Sequence, residues 1–308
     1  APGGFPLTTP TPKTIAPRAV NAKGRAKPSS TLKTVDKALN TLDFLTAFGG
    51  QVGVREMAEY LGINKSSTHR LLTTLERHGY VAQDPITGKY QLGIRMFEAG
   101  AVVFTQMELR TTARPHLLRL ADVTGEVVHL AVVSGSLCVY VDKVEGPRAI
   151  PMASQVGWRK PLYCTGIGKV LLAYLPETLI EQILLEQDLK PLTPNSITDL
   201  DQLRAQLVEI RARGVAYDRE EIEVGLCCVA APVLRSNGQL VGAISLAGPA
   251  GRFEEEHLPT LAEQVRATAA AVSRDLEMAL AGSRNVAEVP CQGSHVASRE
   301  PNLTVLRE

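Results

Sequence analysis

The sequence predicts an α+β protein: a small helical unit with a β-hairpin, followed by a larger domain built on a mostly antiparallel sheet. Three observations lead to this prediction. Two amphipathic helical patterns flank a tight turn in residues 53–79, and a strand–turn–strand pattern follows in residues 80–92. Beyond residue 109, helical periods mix with hairpins of period two, which is typical of sheets that carry packed helices.

Three helical patterns precede the hairpin. The first has the apolar residues Val35, Ala38, Leu39, Leu42, Leu45 and Phe48 at helical spacing. The second has Val54, Met57, Ala58 and Leu61 on one face and stops at Gly62. The third starts at Lys65 and places Thr68, Leu71, Leu72 and Leu75 on its buried stripe. Three helices and a hairpin with the turn Asp84-Pro85-Ile86-Thr87-Gly88 make a winged helix-turn-helix.

The opposite face of the third helix has the chemistry of a nucleic-acid contact. It combines short hydroxyls with basic groups and lacks a carboxylate, as a helix beside phosphates and base edges requires. We expect Arg70 and His69 to read base edges, with Thr73 supporting them, and Thr87 and Lys89 of the wing to touch phosphates. The candidate DNA-binding residues are therefore Lys65, Ser66, Ser67, His69, Arg70, Thr73, Thr87 and Lys89. A helical subdomain that binds no nucleic acid is the alternative.

The charge distribution supports contact with DNA at one end of the chain. Residues 1–95 hold 13 Lys and Arg against 6 Asp and Glu, whereas the remainder holds 20 against 26. The net charge of +1 therefore hides a basic amino-terminal part joined to an acidic remainder. We expect residues 1–31 to form a disordered basic arm and residues 282–308 a disordered tail, since neither has a hydrophobic period.

Composition excludes several classes of protein. No apolar run approaches the length of a membrane span, and no signal peptide is evident, so a cytoplasmic protein without membrane contact is expected. The five cysteines have no regular spacing, which argues against disulfides and a zinc site. No phosphate-binding glycine loop is present either, so we expect no cofactor and no metal.

The rest of the chain divides into a linker helix and a second domain. Residues 93–108 form the expected linker, with Ile94, Phe97, Ala101 and Phe104 on one side that can serve as a dimer seam. Residues 109–281 form the second domain. Its first helix, in residues 109–124, is expected to be interrupted or to restart at Pro115, because proline fits a first helical turn better than an interior.

The elements of the second domain follow from period and capping. Strands are expected at 127–133, 137–144, 215–219, 227–234 and 240–247, with a weaker candidate at 149–156. Helices are expected at 165–174, capped by Thr165, at 177–187, at 199–213, capped by Asp199, and at 254–280.

Seven blocks follow one another along the chain: STHRLLTTLERHGYV (67–81), YQLGIRMFEAG (90–100), TGEVVHLAVV (124–133), YVDKVEG (140–146), CTGIGKVLLAYLP (164–176), RGVAYDREEIEVGLCCVAAPV (213–233) and GAISLAGPAGRF (242–253). In this order they resemble the IclR family of bacterial transcription regulators. The resemblance runs from Leu32 to about Ala281. It implies a winged helix, a linker helix and a GAF-like effector-binding domain, in dimers or tetramers that bind double-stranded, pseudo-palindromic operators.

The resemblance also implies an effector site for a small organic acid. Matched by motif, its residues are Met152, Gly166, Ile167, Asp218, Leu226, Cys228, Ser245 and Ala247. The amides of Gly166 and Ile167 open a helix and suit a carboxylate. Asp218 would accept from a ligand hydroxyl or orient a water. Ala247 stands where many relatives carry a second serine, which favours a less polar or bulkier acid.

Other interpretations of the same residues remain open at the level of sequence. The alternatives are that Gly166 serves only tight packing, that Cys228 is a small core hydrophobe, and that Asp218 is a surface turn acid. His129 is best read as a core histidine outside the site. As other functions, we consider a cysteine-dependent hydrolase with Cys164 or Cys228 as nucleophile and His129 as base, and a ligand-binding module without operator function.

Overall fold

The structure is a computed structural model that describes residues 32–286, with side chains described through residue 279. The arm expected at residues 1–31 and residues 287–308 of the expected tail lie outside the described residues. The chain divides into two compact units, one ending at Gln106 and one beginning at Met107. Within the described part, no helix is both long and apolar enough to cross a membrane.

The first unit is a winged helix-turn-helix, as the sequence predicts. Its elements are α1 (Lys33–Phe48), α2 (Val54–Leu61), α3 (Lys65–Arg77), β1 (Val81–Gln83), β2 (Tyr90–Leu92) and α4 (Ile94–Gln106). Strands β1 and β2 pair antiparallel, and a single bridge joins Val52 to Tyr90 at the hairpin's edge. The core of the unit is small and apolar and contains Leu45, Val52, Met57, Leu72, Val81 and Tyr90.

Local capping fixes the turn between α2 and α3. Gly62 ends α2 in the left-handed conformation, with φ of 62°, which favours glycine. Asn64 then caps α3, because its side chain accepts a 2.8 Å hydrogen bond from the backbone N–H of Ser67. The sequence predicts where the two helices begin and end, and Asn64 explains why α3 begins at Lys65.

The buried face of α1 differs from the expected one. Val35, Leu39 and Phe48 are about half exposed, at 50%, 55% and 52%, whereas Thr41 is fully buried. Thr41 can be buried because its hydroxyl donates to the carbonyl of Lys37 one turn earlier. The apolar residues of α1 cover more than one face, and a unit of this size buries only the one centred on Thr41 and Leu45.

The second unit is an antiparallel sheet with helices on both faces. Its elements are α5 (Glu108–Thr124), β3 (Val127–Ser134), β4 (Leu137–Glu145), β5 (Arg159–Pro161), α6 (Gly166–Ala173), α7 (Glu177–Glu186), α8 (Leu200–Arg213), β6 (Ala216–Arg219), β7 (Leu226–Leu234), β8 (Leu240–Pro249) and α9 (Leu258–Val286). The six strands lie in the order β5-β4-β3-β8-β7-β6. All of the pairings are antiparallel.

Each face of the sheet has its own core. Helices α5 and α9 pack on one face, where Leu117, Val128, Ile244 and Val265 are fully buried. Helices α6, α7 and α8 pack on the other face, which we call the α6 face. Alternation along the strands sends Cys227 and Val229 to the first core and Cys228 and Ala230 to the α6 face.

The weak strand expected at residues 149–156 is wrong. The strand that pairs with β4 is β5, in the register Leu137↔Pro161. The preceding loop is held by a side chain instead of a strand ladder, because Lys143 Nζ donates to the carbonyls of Met152 (3.2 Å) and Ser154 (2.9 Å).

Two helix boundaries also differ from expectation. Helix α5 continues through Pro115, which lies on the exposed side of the helix while Ala113 and Leu117 are buried. Helix α9 begins at Leu258, which places Pro259 in the first turn, where a missing N–H costs nothing. It runs to Val286, so the tail expected from residue 282 starts inside a helix.

Candidate functional site

Helix α3 presents an open polar face. Lys65, Ser66, Ser67, His69, Arg70 and Thr73 are all exposed, and Thr68 and Leu72 on the opposite side are buried. Among the described side chains, Lys65, Ser67 and Arg70 have no hydrogen-bond or ion-pair partner. These three side chains are therefore free to contact phosphate or base edges.

Other residues of the expected DNA-binding set are already engaged. The Ser66 hydroxyl donates to Asn64 Oδ1 at 2.9 Å. The Thr73 hydroxyl lies 3.5 Å from His69 Nδ1 and also hydrogen-bonds the phenol of buried Tyr90. Thr73 is therefore placed to orient the His69 ring. The Ser66 hydroxyl is already engaged by Asn64, so the Ser67 hydroxyl is more available as a donor to DNA.

A brace that sequence reasoning missed fixes the wing. Gln51, in the loop before α2, donates to Asp84 Oδ2 at 2.8 Å and accepts from the Thr87 hydroxyl at 3.1 Å. Asp84 Oδ1 accepts from the backbone N–H groups of Ile86 and Thr87, both at 2.8 Å. These bonds hold the pKa of Asp84 below its usual value, with the Thr87 amide the largest cause. Lys89 is exposed beside this rigid turn, whereas the Thr87 hydroxyl is committed to Gln51.

The expected effector residues converge where α6 begins against the sheet. Thr165 caps α6 by accepting from the N–H of Gly168 at 2.9 Å. A methyl group on Gly166 would lie 3.0 Å from Cys228 Sγ and 3.4 Å from the backbone nitrogen of Asp218. The start of α6 therefore touches both β6 and β7, and a larger residue at Gly166 would push the Cys228 sulfur away.

Strand register places the remaining residues on the α6 face. Asp218, Cys228 and Ala247 are cross-strand partners in one row over β6, β7 and β8. Ser245 lies in the next row, opposite Ala230 on β7 and His129 on β3. Directly opposed residues share a face, so these side chains surround one area of the sheet. Leu226, two residues before Cys228, continues the same face and is half-buried.

Asp218 is a buried acid, not a surface turn residue. The residue is only 4% exposed, and its Oδ1 accepts a hydrogen bond from the backbone N–H of Glu221 at 2.8 Å. Burial is the largest cause that raises its pKa, to about 7, with the charge of Glu221 adding to the shift. The backbone N–H of Gly166 acts in the opposite direction and lowers the pKa of Asp218.

Behind Asp218 lies a buried ion pair that the sequence did not indicate. Lys169 of α6 is 1% exposed, and its Nζ lies 2.5 Å from Glu221 Oε1 and 2.9 Å from Gln206 Oε1. The pair ties α6 to the segment after β6, so it fixes the position of Asp218 relative to Gly166. A lysine inside an apolar helical stretch gave no sequence signal for a partner 52 residues away.

The loop before β5 closes the other side of the area. Met152 is half-buried, and its carbonyl is held by Lys143, the cross-strand partner of His129. His129 itself is 3% exposed, hydrogen-bonds Ser154 through Nε2 at 2.9 Å and stacks on Tyr140 at 4.8 Å. Sequence reasoning left His129 outside the site, yet its register opposite Ser245 puts it on the same face.

The protonation states of these groups argue against a cysteine nucleophile. Burial raises the pKa of Cys164 to about 12 and that of Cys228 still higher, so both thiols are neutral. Burial also lowers the pKa of His129 to about 3. A thiolate–imidazole pair requires the opposite shift of the thiol. Among the described side chains, no group of three His, Cys, Asp or Glu residues could hold a metal ion.

A separate open cleft of about 270 Å³ lies between α8 and β6. Its lining includes Glu221 and Gln206, the two partners of Lys169. Arg213 and Arg219 also line it. These two arginines are paired with Glu209 and Glu255. The charges of the cleft are satisfied at its rim, whereas the polar groups of Asp218 and Ser245 lie in the buried interior of the sheet.

Comparison with known proteins agrees with this architecture. The IclR helix-turn-helix domain model matches residues 34–85, and the model of the bacterial transcriptional regulator IclR C-terminal domain matches residues 101–274. The HTH-type transcriptional regulator XynR of Escherichia coli (strain K12) is 34% identical over 245 residues, which cover 80% of this chain and 97% of XynR.

Solved structures show the same fold. The IclR of Thermotoga maritima is 37% identical with a TM-score of 0.62, over 80% of this chain and 99% of that one. An IclR homolog from Microbacterium hydrocarbonoxydans, complexed with 4-hydroxybenzoate, is 24% identical with a TM-score of 0.68, over 81% of this chain and 100% of that one. At that identity the second likeness concerns the fold alone.

A winged helix-turn-helix together with a carboxy-terminal domain of this type defines a DNA-binding transcriptional regulator with an effector-binding domain. The matched regions and relatives show that the chain belongs to the IclR family of bacterial transcriptional regulators. Its relatives are regulators and not enzymes, which agrees with the neutral thiols described above.

Proposed function

We propose that this regulator binds a pseudo-palindromic operator and that a small organic acid, bound at the start of α6, changes its affinity for that operator. The observation that carries the proposal is the convergence of Gly166, Asp218, Cys228 and Ser245 on one buried area of the sheet. Hydrogen-bonding groups gathered in an apolar interior are typical of a small-molecule site.

Helix α3 is the reader of the operator in this proposal. Arg70 is exposed without a partner among the described side chains, and its planar fork suits O6 and N7 of guanine. His69 contributes a second base-edge contact, while Lys65 and Ser67 near the helix start contact phosphates. Lys89, on the braced wing, neutralises a further phosphate and adds affinity without reading sequence.

The effector carboxylate is assigned to the amides that open α6. Free N–H groups and the helix dipole both favour an anion there. Apart from Asp218, the other residues assigned to the site are uncharged and mostly apolar, and they include Leu226, Ala247 and Met152 as well as the Ser245 hydroxyl. This lining suits an acid with an apolar body. The bound 4-hydroxybenzoate of the Microbacterium homolog is an acid of that kind.

A homodimer, alone or paired into a tetramer, is the proposed assembly. Helix α4 buries none of its residues within the chain, and Ile94 and Phe97, which share one face, are 67% and 71% exposed. An apolar helix face of this size is stabilised when a second copy covers it. Two copies would present two α3 helices to half-sites of a palindrome, as the symmetry of such operators requires.

A ligand-binding module without operator function remains the second candidate, and one experiment separates the two. Full-length protein is used to select DNA from a random duplex library, and the selected duplex is then titrated by fluorescence anisotropy. Selection of a palindromic sequence whose binding is lost in Arg70→Ala supports the proposal. Binding of every duplex with equal affinity, unchanged in Arg70→Ala, refutes operator recognition by α3.

A thermal-shift screen tests the effector class. Small aliphatic and aromatic carboxylic acids are added to the full chain, and an acid at a hundred times its dissociation constant should stabilise the protein by ~2.7 kcal/mol. The corresponding amides serve as controls. Stabilisation by the amides and not by the acids would show that the site is built for a neutral ligand.

A further inference from the structure

The charges around the effector site are balanced before any ligand arrives. Lys169 is the one cation whose charge acts on Asp218 among the described side chains, and its Nζ is occupied by Glu221 and Gln206. Both Lys169 and Glu221 are almost completely buried, at 1% and 6% exposure. The charges of Lys169 and Glu221 therefore cancel. The carboxyl of Asp218 is one more acidic group beside this neutral pair.

The other titratable groups near Asp218 contribute no charge. Cys164 before α6, Cys228 on β7 and Tyr140 on β4 belong to the α6 face, and Cys227 lies beside Cys228 on the opposite face of β7. Burial raises the pKa of each of these thiols and of the phenol, so all four are neutral near pH 7. Lys160 acts on Cys164 and Arg219 acts on Cys227, whereas the cation that acts on Asp218 is Lys169.

Asp218 also occupies part of the position assigned to the effector. A methyl group on Gly166 would lie 3.5 Å from Cβ of Asp218 and 3.0 Å from Cys228 Sγ, so both side chains lie against the start of α6. An acid bound at the amides of Gly166 and Ile167 would lie next to Asp218 in a dry interior. Two neighbouring carboxylates cannot both remain ionised there, because like charges repel strongly where water is excluded.

We propose that the effector's carboxylate binds only the form of the protein in which Asp218 is protonated, and that it accepts a hydrogen bond from the Asp218 carboxyl. This inference rests on the function proposed above. It reverses the expectation from sequence, in which Asp218 accepts from a ligand hydroxyl. The proton comes from solvent and stays on the acid pair, as in carboxyl pairs that share one proton.

The proposal predicts a specific pH dependence of binding. In the free protein the pKa of Asp218 is about 7, since burial penalises its charged form. Below that pH the acid is already protonated and affinity is constant. Above it, each molecule of effector takes up one proton, and the dissociation constant rises up to tenfold per pH unit.

Isothermal titration calorimetry of the full chain at pH 6.5 and 8.5 tests this. The probes are acetate, hexanoate, 2-oxobutanoate, benzoate and 4-hydroxybenzoate, and each titration at pH 8.5 is repeated in two buffers of different ionisation enthalpy. Asp218→Asn keeps an acceptor for the Glu221 amide and supplies a donor that does not titrate. Glu263→Gln, an exposed acid on α9, is the matched control.

We expect the dissociation constant of the tightest acid to rise more than tenfold between the two pH values in the wild type and in Glu263→Gln. In Asp218→Asn it should change less than twofold. The two buffers should report uptake of close to one proton per ligand at pH 8.5, a result that needs no variant.

Equal affinity at both pH values in the wild type, with no proton uptake, overturns the proposal that Asp218 must be protonated. It leaves the proposal of a carboxylic acid as effector intact. Absence of binding by all five acids at pH 6.5, where Asp218 is protonated, overturns both this proposal and the carboxylate site.

Discussion

Gly166 and Cys228 approach so closely that a methyl group on the glycine would lie 3.0 Å from the cysteine sulfur. The contact joins the first residue of α6 to β7, the neighbour of the edge strand β6, and the same methyl group would lie 3.4 Å from the backbone nitrogen of Asp218. A second glycine, Gly168, is crowded differently, because its methyl group would lie 2.6 Å from the Leu162 carbonyl and the Thr165 hydroxyl. The missing side chain at Gly166 leaves room beside Cys228, whereas the missing side chain at Gly168 allows the first turn of α6 to form.

Substitution of the two glycines should therefore give different results. Gly166→Ala needs a shift of a few tenths of an ångström from a side-chain sulfur, so the protein should fold with a loss of ~1–3 kcal/mol. In Gly168→Ala the methyl group would clash with the backbone carbonyl of Leu162, so this variant should lower the melting temperature much more. Thermal denaturation by circular dichroism measures both, and Gly166→Ala/Cys228→Ala should recover part of the loss. An equal loss in the two single variants would contradict this account.

The buried Lys169–Glu221 pair should be costly to break from either side. Lys169→Met leaves a buried carboxylate without its cation, which typically costs ~3–5 kcal/mol. The double variant Lys169→Met/Glu221→Gln removes both charges and should lose less than the sum of the single losses. Urea denaturation of the four proteins measures the coupling. Strict additivity would show that the two groups do not interact.

Asp218 should make stability depend on pH. Its folded-state pKa of about 7 lies above the value of 3.8 for an unperturbed carboxyl, so the folded state binds the proton more tightly. Stability is therefore greatest at low pH and falls as pH rises from about 4 to 7. Relative to Asp218→Asn, the wild type should lose on the order of 2 kcal/mol between pH 5 and pH 8. Parallel pH profiles of the two proteins would exclude the shift.

Arg70 and Lys89 should affect DNA binding in different ways. Arg70→Ala should weaken operator binding by ~1–3 kcal/mol and relax preference at one base pair. Lys89→Ala should weaken all duplexes alike and lower the slope of log affinity against log salt by about one. Anisotropy titrations over several salt concentrations measure both, with Arg213→Ala in the other unit as control. A sequence-independent loss in Arg70→Ala would move base reading elsewhere.

The wing brace gives a further prediction. Gln51→Ala removes the donor to Asp84 and the acceptor for Thr87, so the wing should lose its fixed shape and operator affinity should fall. Gln91→Ala is the control, because Gln91 reaches only Gln51, at 3.4 Å. Operator titration compares the two. Equal affinity in both variants would mean that the wing needs no brace.

Local signals explain what the sequence predicts well. Thr165 and Asp199 cap the helices that follow them, and Gly62 ends α2, because each of these effects acts within one helical turn. Period two likewise places Cys228 and Ser245 on the α6 face. The site residues inferred from the family resemblance are brought together by the register of three strands.

Features made by distant partners could not be predicted from one sequence. The segment 149–156 looks like a strand, yet Lys143 holds its carbonyls. Thr41 replaces apolar residues in the core because its hydroxyl bonds within the helix. Lys169 is satisfied by Glu221, and Asp218 owes its raised pKa to burial. Burial and pairing of this kind depend on the complete fold.

The most direct test of the central claim is the affinity of the full chain for its selected operator, with and without the tightest-binding acid. The account predicts at least a fivefold change in wild type, which corresponds to a coupling of ~1 kcal/mol, and no change in Gly166→Ala, whose methyl group fills the site. Operator affinity without the acid should be the same in both proteins. An acid response that survives in Gly166→Ala, or an acid that binds at this site without altering operator affinity, would contradict the account.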